Sequence, residues 1–320
     1  MNDKYGRKIN YLRISLTDLC NLRCKYCMPE NGVGKIEHDS IMKIEEVIKI
    51  VKVMVKLGID KIRLTGGEPL VKKGIIYLIE ELNKIKEINE ITMTTNGILL
   101  YEMAENLKRA GLSRVNISID TFDKEKYFDV TRGGNLEKVL KGIEKCKEIG
   151  LTPIKLNTVL IGGFNDDEID TFVNYTLENE VDVRFIELMP IGQASDWHKE
   201  KFISNQIVLD KFKELIPVKS EDISSPAKYY KLPVSKGKIG FINPVSCNFC
   251  SNCNRIRLTS DGKIKPCLHT NEEIDILTSL RRGEDIRSII VNTILNKPKE
   301  HELNENGFIP IIRNMNSIGG

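Results

Sequence analysis

Six times in its first two-thirds the chain repeats an apolar stretch of strand length followed by an amphipathic run of helix length. This alternation limits the fold more than any other feature. The strand segments are NYLRIS, KIRLTG, EITMTTN, SRVNISID, PIKLNTVLI and VDVRFIELMP, with runs such as MKIEEVIKIVKVMVKLG and GIIYLIEELNKIKE between them. Glycines in KLGID, RAGLS and EIGLT end helices and turn the chain into the next strand. Successive βα units predict a parallel sheet covered by helices, which fits a doubly wound sheet or a barrel. The strand ends favour the barrel, because chemistry in βα barrels gathers at the carboxyl ends of the strands. Here those ends carry Thr65-Gly66-Gly67-Glu68-Pro69, Thr94-Thr95-Asn96-Gly97, Ser118-Ile119-Asp120, Asn157, and Glu187 with Met189. Six units are fewer than eight. The expectation is therefore an α/β fold: an incomplete (βα)6 TIM-like barrel over 1–215, whose opening is closed by a C-terminal domain over 216–320. In that second part the segment LIPVKSEDISSPAKYYKL reads as a linker with short strands or turns, 272–300 as mostly helical, and the closing IIRNMNSIGG as flexible.

The period of two along each strand says what faces inward. Leu12 and Ile14 share a face, leaving Arg13 and Ser15 opposite. Ile62 and Leu64 leave Arg63 and Thr65, and Ile154 and Leu156 leave Lys155 and Asn157. With the apolar sets against the helices, Arg13, Arg63 and Lys155 point into the barrel. Interior cations require anionic partners. Asp120 and Glu187 are available as internal partners, but three cations facing two acids leave room for an anionic ligand.

The eight cysteines are clustered: three near residue 20, four between 247 and 267, and Cys146 alone on a helical run. Cys20, Cys24 and Cys27 are spaced Cys-x3-Cys-x2-Cys. Three thiolates hold three corners of a [4Fe-4S] cube and leave one iron open to bind and reduce a small molecule. A zinc site would show paired Cys-x2-Cys units with a fourth ligand nearby, and no Cys or His follows before His38. An odd set without a secretory signature argues against disulfides. The second group leaves two readings open. Cys247, Cys250, Cys253 and Cys267 could form a zinc ribbon, or Cys250, Cys253 and Cys267 could hold a second open cluster with Cys247 a spare thiol. Arg255 and Arg257 point to one side of an extended segment, where two guanidiniums suit phosphates. A net charge of +3 gives no basic field for a nucleic acid. No apolar h-region opens the chain and no run approaches a membrane span, so a cytoplasmic location is expected.

CNLRCKYC with the following TGGEP resembles the radical S-adenosylmethionine superfamily. FCSNCNRIRLTSDGKIKPCL and the terminal Gly319-Gly320 narrow the resemblance to the molybdenum-cofactor biosynthesis protein A family, the GTP 3′,8-cyclases, over nearly the full length. The resemblance implies a lyase that converts GTP to (8S)-3′,8-cyclo-7,8-dihydroguanosine 5′-triphosphate in the first step of molybdenum cofactor biosynthesis. It implies two [4Fe-4S] clusters, on Cys20, Cys24 and Cys27 and on Cys250, Cys253 and Cys267, with S-adenosyl-L-methionine (SAM) on the first. By the same resemblance Tyr26, Gly67, Ser118 and Met189 contact SAM, and Arg13, Arg63, Thr94, Lys155, Arg255, Ile256 and Arg257 contact GTP. Gly319 and Gly320 enter the active site and act with Arg255. The implied partners are GTP, an electron donor of flavodoxin or ferredoxin type, and the next enzyme, cyclic pyranopterin monophosphate synthase, with no nucleic acid or membrane and a monomeric or homodimeric state. The competing readings are a peptide-modifying radical enzyme with an auxiliary cluster and, in another class, a zinc-containing nucleic-acid-binding protein.

Overall fold

All six expected strands form: β1 (Tyr11–Ser15), β2 (Lys61–Thr65), β3 (Glu90–Thr95), β4 (Arg114–Ser118), β5 (Ile154–Leu160) and β6 (Val181–Glu187). The computed structural model describes residues 1–34, 38–219, 222–247, 249–301, 303 and 311–319. The six strands pair in chain order, each parallel to the one before. The helices between them are α1 (Ile44–Lys56), α2 (Ile75–Asn83), α3 (Leu100–Ala110), α4 (Lys124–Thr131), α5 (Leu136–Glu148) and α6 (Ile169–Glu178).

Local sequence explains these elements. α1 buries Ile44, Val47, Val51 and Met54 at helical spacing, while Lys49, Lys52 and Lys56 stay exposed. α4 starts on Asp123, whose carboxylate accepts from the amides of Glu125 and Lys126, and α5 starts on Asn135, which accepts from Lys138 N. β5 alternates as expected: Ile154, Leu156, Thr158 and Leu160 are buried against the helical side, while Lys155, Asn157 and Val159 line the interior cavity. Cys146 is fully buried on α5 as a core residue.

The second part of the chain adds strands at both edges of the six. On one side β10 (Arg255–Leu258) runs parallel to β1 and continues through β11 (Lys263–Lys265) and β12 (Ile274–Asp275). On the other side β9 (Ile239–Ile242) runs parallel to β6 and continues through β8 (Ala227–Lys231) and β7 (Ile216–Val218). The resulting twelve-stranded sheet has the order β12-β11-β10-β1-β2-β3-β4-β5-β6-β9-β8-β7. The expected short strands near 216–231 are β7 and β8. The run 272–300 holds β12 followed by helices Leu277–Arg281 and Arg287–Leu295.

The tail corrects the expectation of flexibility over residues 311–319. Ile311 and Ile318 are buried with Ile191, and Met189, Leu268 and Met315 pack around them. Arg313 makes ion pairs with Asp261 (2.7 Å) and Glu273 (2.6 Å). A composition of Asn, Ser and Gly hid the three apolar anchors that fix the tail. No helix among the described residues is long and apolar enough to cross a membrane.

Candidate active site

A cavity of about 930 Å³ is lined by both cysteine sets and by the interior faces of the strands between them. The loop carrying Cys20, Cys24 and Cys27 leaves β1 and is tied to the end of α4. Arg23 N donates to Thr131 O (3.1 Å), Lys25 N donates to Val130 O (2.9 Å), and the Arg132 guanidinium donates to the carbonyls of Arg23 and Met28. Burial, then the neighbouring thiols' charge, pushes the Cys24 thiol well up, and Cys27 rises to about 12. Such thiols become thiolates when a metal supplies the compensating charge. The loop passes directly over Gly67, where a Cβ would strike the main-chain carbonyls of Asp18 and Leu19. Glycine is therefore required there for chain crossing, a reason the ligand-contact reading did not contain.

Three carboxylates stand at the mouth, and each is satisfied by uncharged donors. Glu68 accepts from Leu70 N (3.0 Å), Thr95 Oγ1 (2.7 Å) and Asn96 N (2.7 Å), and burial pushes it up to about 7. Asp120 accepts from Tyr26 Oη (2.6 Å) and Val159 N (2.9 Å), and burial raises it to about 6. Glu187 accepts from Ser246 Oγ and from the amides of Val245 and Ser246. None of the three neutralises the interior cations.

Those cations are more numerous than the sequence reading had them. The register of β10, β1 and β2 sets Arg257, Arg13 and Arg63 abreast on neighbouring strands. Arg184 joins them from β6 and donates to Asn157 Oδ1 (2.5 Å). Sequence reasoning missed it, although the alternation Val181, Val183, Phe185 on β6 already placed Arg184 inward. Arg63 and Arg184 both face the side-chain amide of Asn116, and their donors assign its oxygen to the side toward them. Lys155 Nζ donates to Tyr229 Oη (2.9 Å) and lies 3.6 Å from Asp182. Among the described residues no carboxylate lies within 4 Å of Arg63, Arg184 or Arg257. Burial, reinforced by like-charged neighbours, pushes Arg184 and Arg257 down to about 10. Arg63 Nε, Arg184 Nε, Arg255 Nη1 and Thr94 Oγ1 are buried without a hydrogen-bond partner. Each such group costs about 1–3 kcal/mol, so the interior is arranged for an anion that accepts several hydrogen bonds.

The second cysteine set is assembled from separate segments. Cys250 and Cys253 precede β10, and the antiparallel turn-back of β11 returns Cys267 toward them. All three line the cavity. Cys247 does not: its thiol is exposed and lies 3.5 Å from Lys228 Nζ. Burial acts to raise the Cys253 thiol, but Lys297 and Arg255 outweigh it and bring it down to about 7. Among the described residues no three His, Cys, Asp or Glu side chains are grouped as ligands of one metal ion. A cubane takes one thiolate per iron, so its ligands stand farther apart.

The tail reaches into this cavity. Arg257 Nη1 donates to the carbonyls of Ile318 (3.1 Å) and Gly319 (2.6 Å), and Asn316 Nδ2 donates to Asp18 O (2.9 Å). Gly319 has φ +70°, and a Cβ there would strike the Thr65 hydroxyl. Gly320 lies outside the described residues. Tyr26, Gly67, Thr94, Ser118, Lys155, Met189 and Arg255 all line the cavity. Ile256 does not: it is 1% exposed and pairs with Leu12 in the core.

Comparison with known proteins agrees with this architecture. A family profile described as "Radical SAM superfamily" matches residues 14–176, and one described as "Molybdenum Cofactor Synthesis C" matches 181–303. A GTP 3′,8-cyclase of Peptoclostridium acidaminophilum is 60% identical over 99% of this chain and 98% of its own length. That of Alkaliphilus oremlandii is 56% identical over the whole of both chains. The structure of Streptococcus suis SuiB bound to S-adenosylmethionine superposes with a TM-score of 0.63 at 16% identity, over 91% of this chain and 64% of that one. SuiB supports the fold alone, whereas identity of this degree along entire sequences settles descent: the chain belongs to the radical SAM superfamily and, within it, to the GTP 3′,8-cyclases.

Proposed function

We propose that the chain is itself a GTP 3′,8-cyclase, a lyase that forms the 3′,8-cyclic dihydroguanosine triphosphate for molybdenum cofactor synthesis. The observation that carries this reading is the single cavity in which two three-cysteine sets flank a bank of arginines with unmet buried donors. The cysteine donor sets fit [4Fe-4S] clusters on Cys20, Cys24 and Cys27 and on Cys250, Cys253 and Cys267. With SAM on the first, the bound groups would supply the radical chemistry needed to activate the ribose of GTP, with the electron coming from a flavodoxin- or ferredoxin-type donor.

The chain's own residues do the positioning. Tyr26, Gly67, Ser118 and Met189 surround the SAM side, with Asp120 holding Tyr26 through its hydroxyl. The carboxylates of the mouth favour a sulfonium cation there. Arg13, Arg63, Arg184, Lys155, Arg255 and Arg257 take the triphosphate and Thr94 offers its unmet hydroxyl, the electrostatic part that a protein contributes to cofactor-borne chemistry. Ile256 contributes through its main chain only. Gly319 brings the tail against Arg257, where it helps to keep water from a carbon radical. The next enzyme, cyclic pyranopterin monophosphate synthase, receives the product.

Anaerobically reconstituted protein should hold about eight irons per chain, two cubanes' worth. It should form 5′-deoxyadenosine faster with GTP than with ATP or with no nucleotide. Equal rates under the three conditions would overturn the substrate assignment.

A further inference from the structure

Outside the cavity, Arg7 ties the N-terminal segment to the Cys250 carbonyl and to the 297–299 turn. Its side chain is 6% exposed and pairs with the fully buried Asp3 through Nε (2.6 Å). Nη1 donates to the carbonyls of Cys250 (2.9 Å) and Lys299 (2.8 Å), and Nη2 donates to that of Pro298 (2.7 Å). Asp3 is itself fixed by accepting from the amides of Tyr5 and Arg7 (both 2.9 Å). From the 297–299 turn a second tie runs on: Lys297 Nζ, on a residue 3% exposed, donates to Pro266 O (2.6 Å), the carbonyl just before Cys267. One buried guanidinium thus joins the N-terminal segment, the Cys250 carbonyl and the turn. One buried ammonium joins the turn to the segment after β11 that carries Cys267. No local turn sets the separation of Cys250 from Cys267, because they lie on different segments around the β10–β11 hairpin. A planar guanidinium with five donors can hold three chain segments in one plane, which an ammonium cannot do.

We infer that Arg7 and Lys297 are positioning residues that set the spacing of the three thiolates at the second site, so that the site is formed before its metal arrives. This rests on the reading of Cys250, Cys253 and Cys267 as a metal site. It assigns the N-terminal segment a role in holding a group at the far end of the sequence. The cost of disorder among the ligands is then met in folding, leaving metal affinity intact.

The test uses the full chain reconstituted anaerobically with iron and sulfide, and with zinc in a parallel sample. Arg7→Ala and Lys297→Met should each lose metal from the second site, iron falling from about eight to about four per chain. The Mössbauer signature of the first cluster, and the change SAM causes in it, should persist, and far-ultraviolet circular dichroism should match wild type. Arg7→Lys should recover only part of the loss. Should Arg7→Ala fail to fold, Lys297→Met decides alone: it keeps the apolar stem and removes the tie to Pro266 together with the positive charge beside Cys253, so its metal loss should persist at a pH high enough to ionise that thiol without the charge. Retention of full second-site metal by folded Lys297→Met overturns the inference, as does equal loss from both sites. The underlying reading fails separately: wild type that takes zinc rather than iron at the second site refutes the cluster assignment, while selective zinc loss in the variants still supports the clamp.

Discussion

The two cysteine sets present the same three donors in opposite surroundings. The first is contiguous, on one loop anchored to α4, with Glu68 and Asp120 beside it. The second is gathered from two segments, with Arg7, Arg255 and Lys297 around it. A carboxylate-rich setting favours a cationic ligand and a cation-rich one favours an anion. The contrast matches a sulfonium cofactor at one end and a triphosphate-bearing substrate toward the other. It also teaches that ligand count alone does not define a site: the charges behind the ligands differ in sign.

The largest effect should separate the sets outright. Cys24→Ala should abolish 5′-deoxyadenosine formation with or without GTP. Cys253→Ala should keep the slow GTP-independent cleavage and lose its stimulation by GTP, read by product chromatography. Loss of basal cleavage in Cys253→Ala would erase the division of labour. Next, Arg63→Ala with Arg184→Ala should raise the Kd for GTP about a hundredfold or more, since each charge-assisted bond is worth about 1.5–3 kcal/mol. Calorimetry should find SAM affinity unchanged; an equal loss for SAM would mean the arginines serve both ends.

A smaller effect concerns the tail that spans the two regions. Arg313→Gln should make residues near 311 accessible to limited proteolysis. Burial opposes ionisation of Asp261, but Arg313 outweighs it and holds the carboxyl below its usual range. A depressed carboxylate stabilises above its unfolded pKa and loses that contribution as pH falls through the folded value. Wild type should therefore become sensitive in the same way below about pH 4. Smallest of all, Cys247→Ser should leave the iron content unchanged; loss of the second cluster would show that this exposed thiol is a ligand.

Much of this was legible in the sequence. Local periodicity gave the six strands and the inward direction of Arg13, Arg63 and Lys155, because alternation is a property of each strand by itself. The pairing of β10 with β1 and of β9 with β6 was not legible, since it joins segments far apart along the chain and leaves no local mark. For that reason the row Arg257–Arg13–Arg63 was invisible, although each arginine was singled out separately. Arg184 was legible and overlooked, whereas Arg7 and Lys297 act on main-chain carbonyls, which no pattern of side chains announces.

The β1–β10 register also works as a ruler. The strands run side by side from Tyr11 and Arg255 to Ile14 and Leu258, a span of about 10 Å. The first cysteine loop departs beyond the far end of this stretch, and Cys253 sits just before its near end. A molecule able to touch both cysteine sets must match the length of a rigid pair of strands. Discrimination by length is thereby written into backbone hydrogen bonds, where side-chain substitution cannot easily alter it.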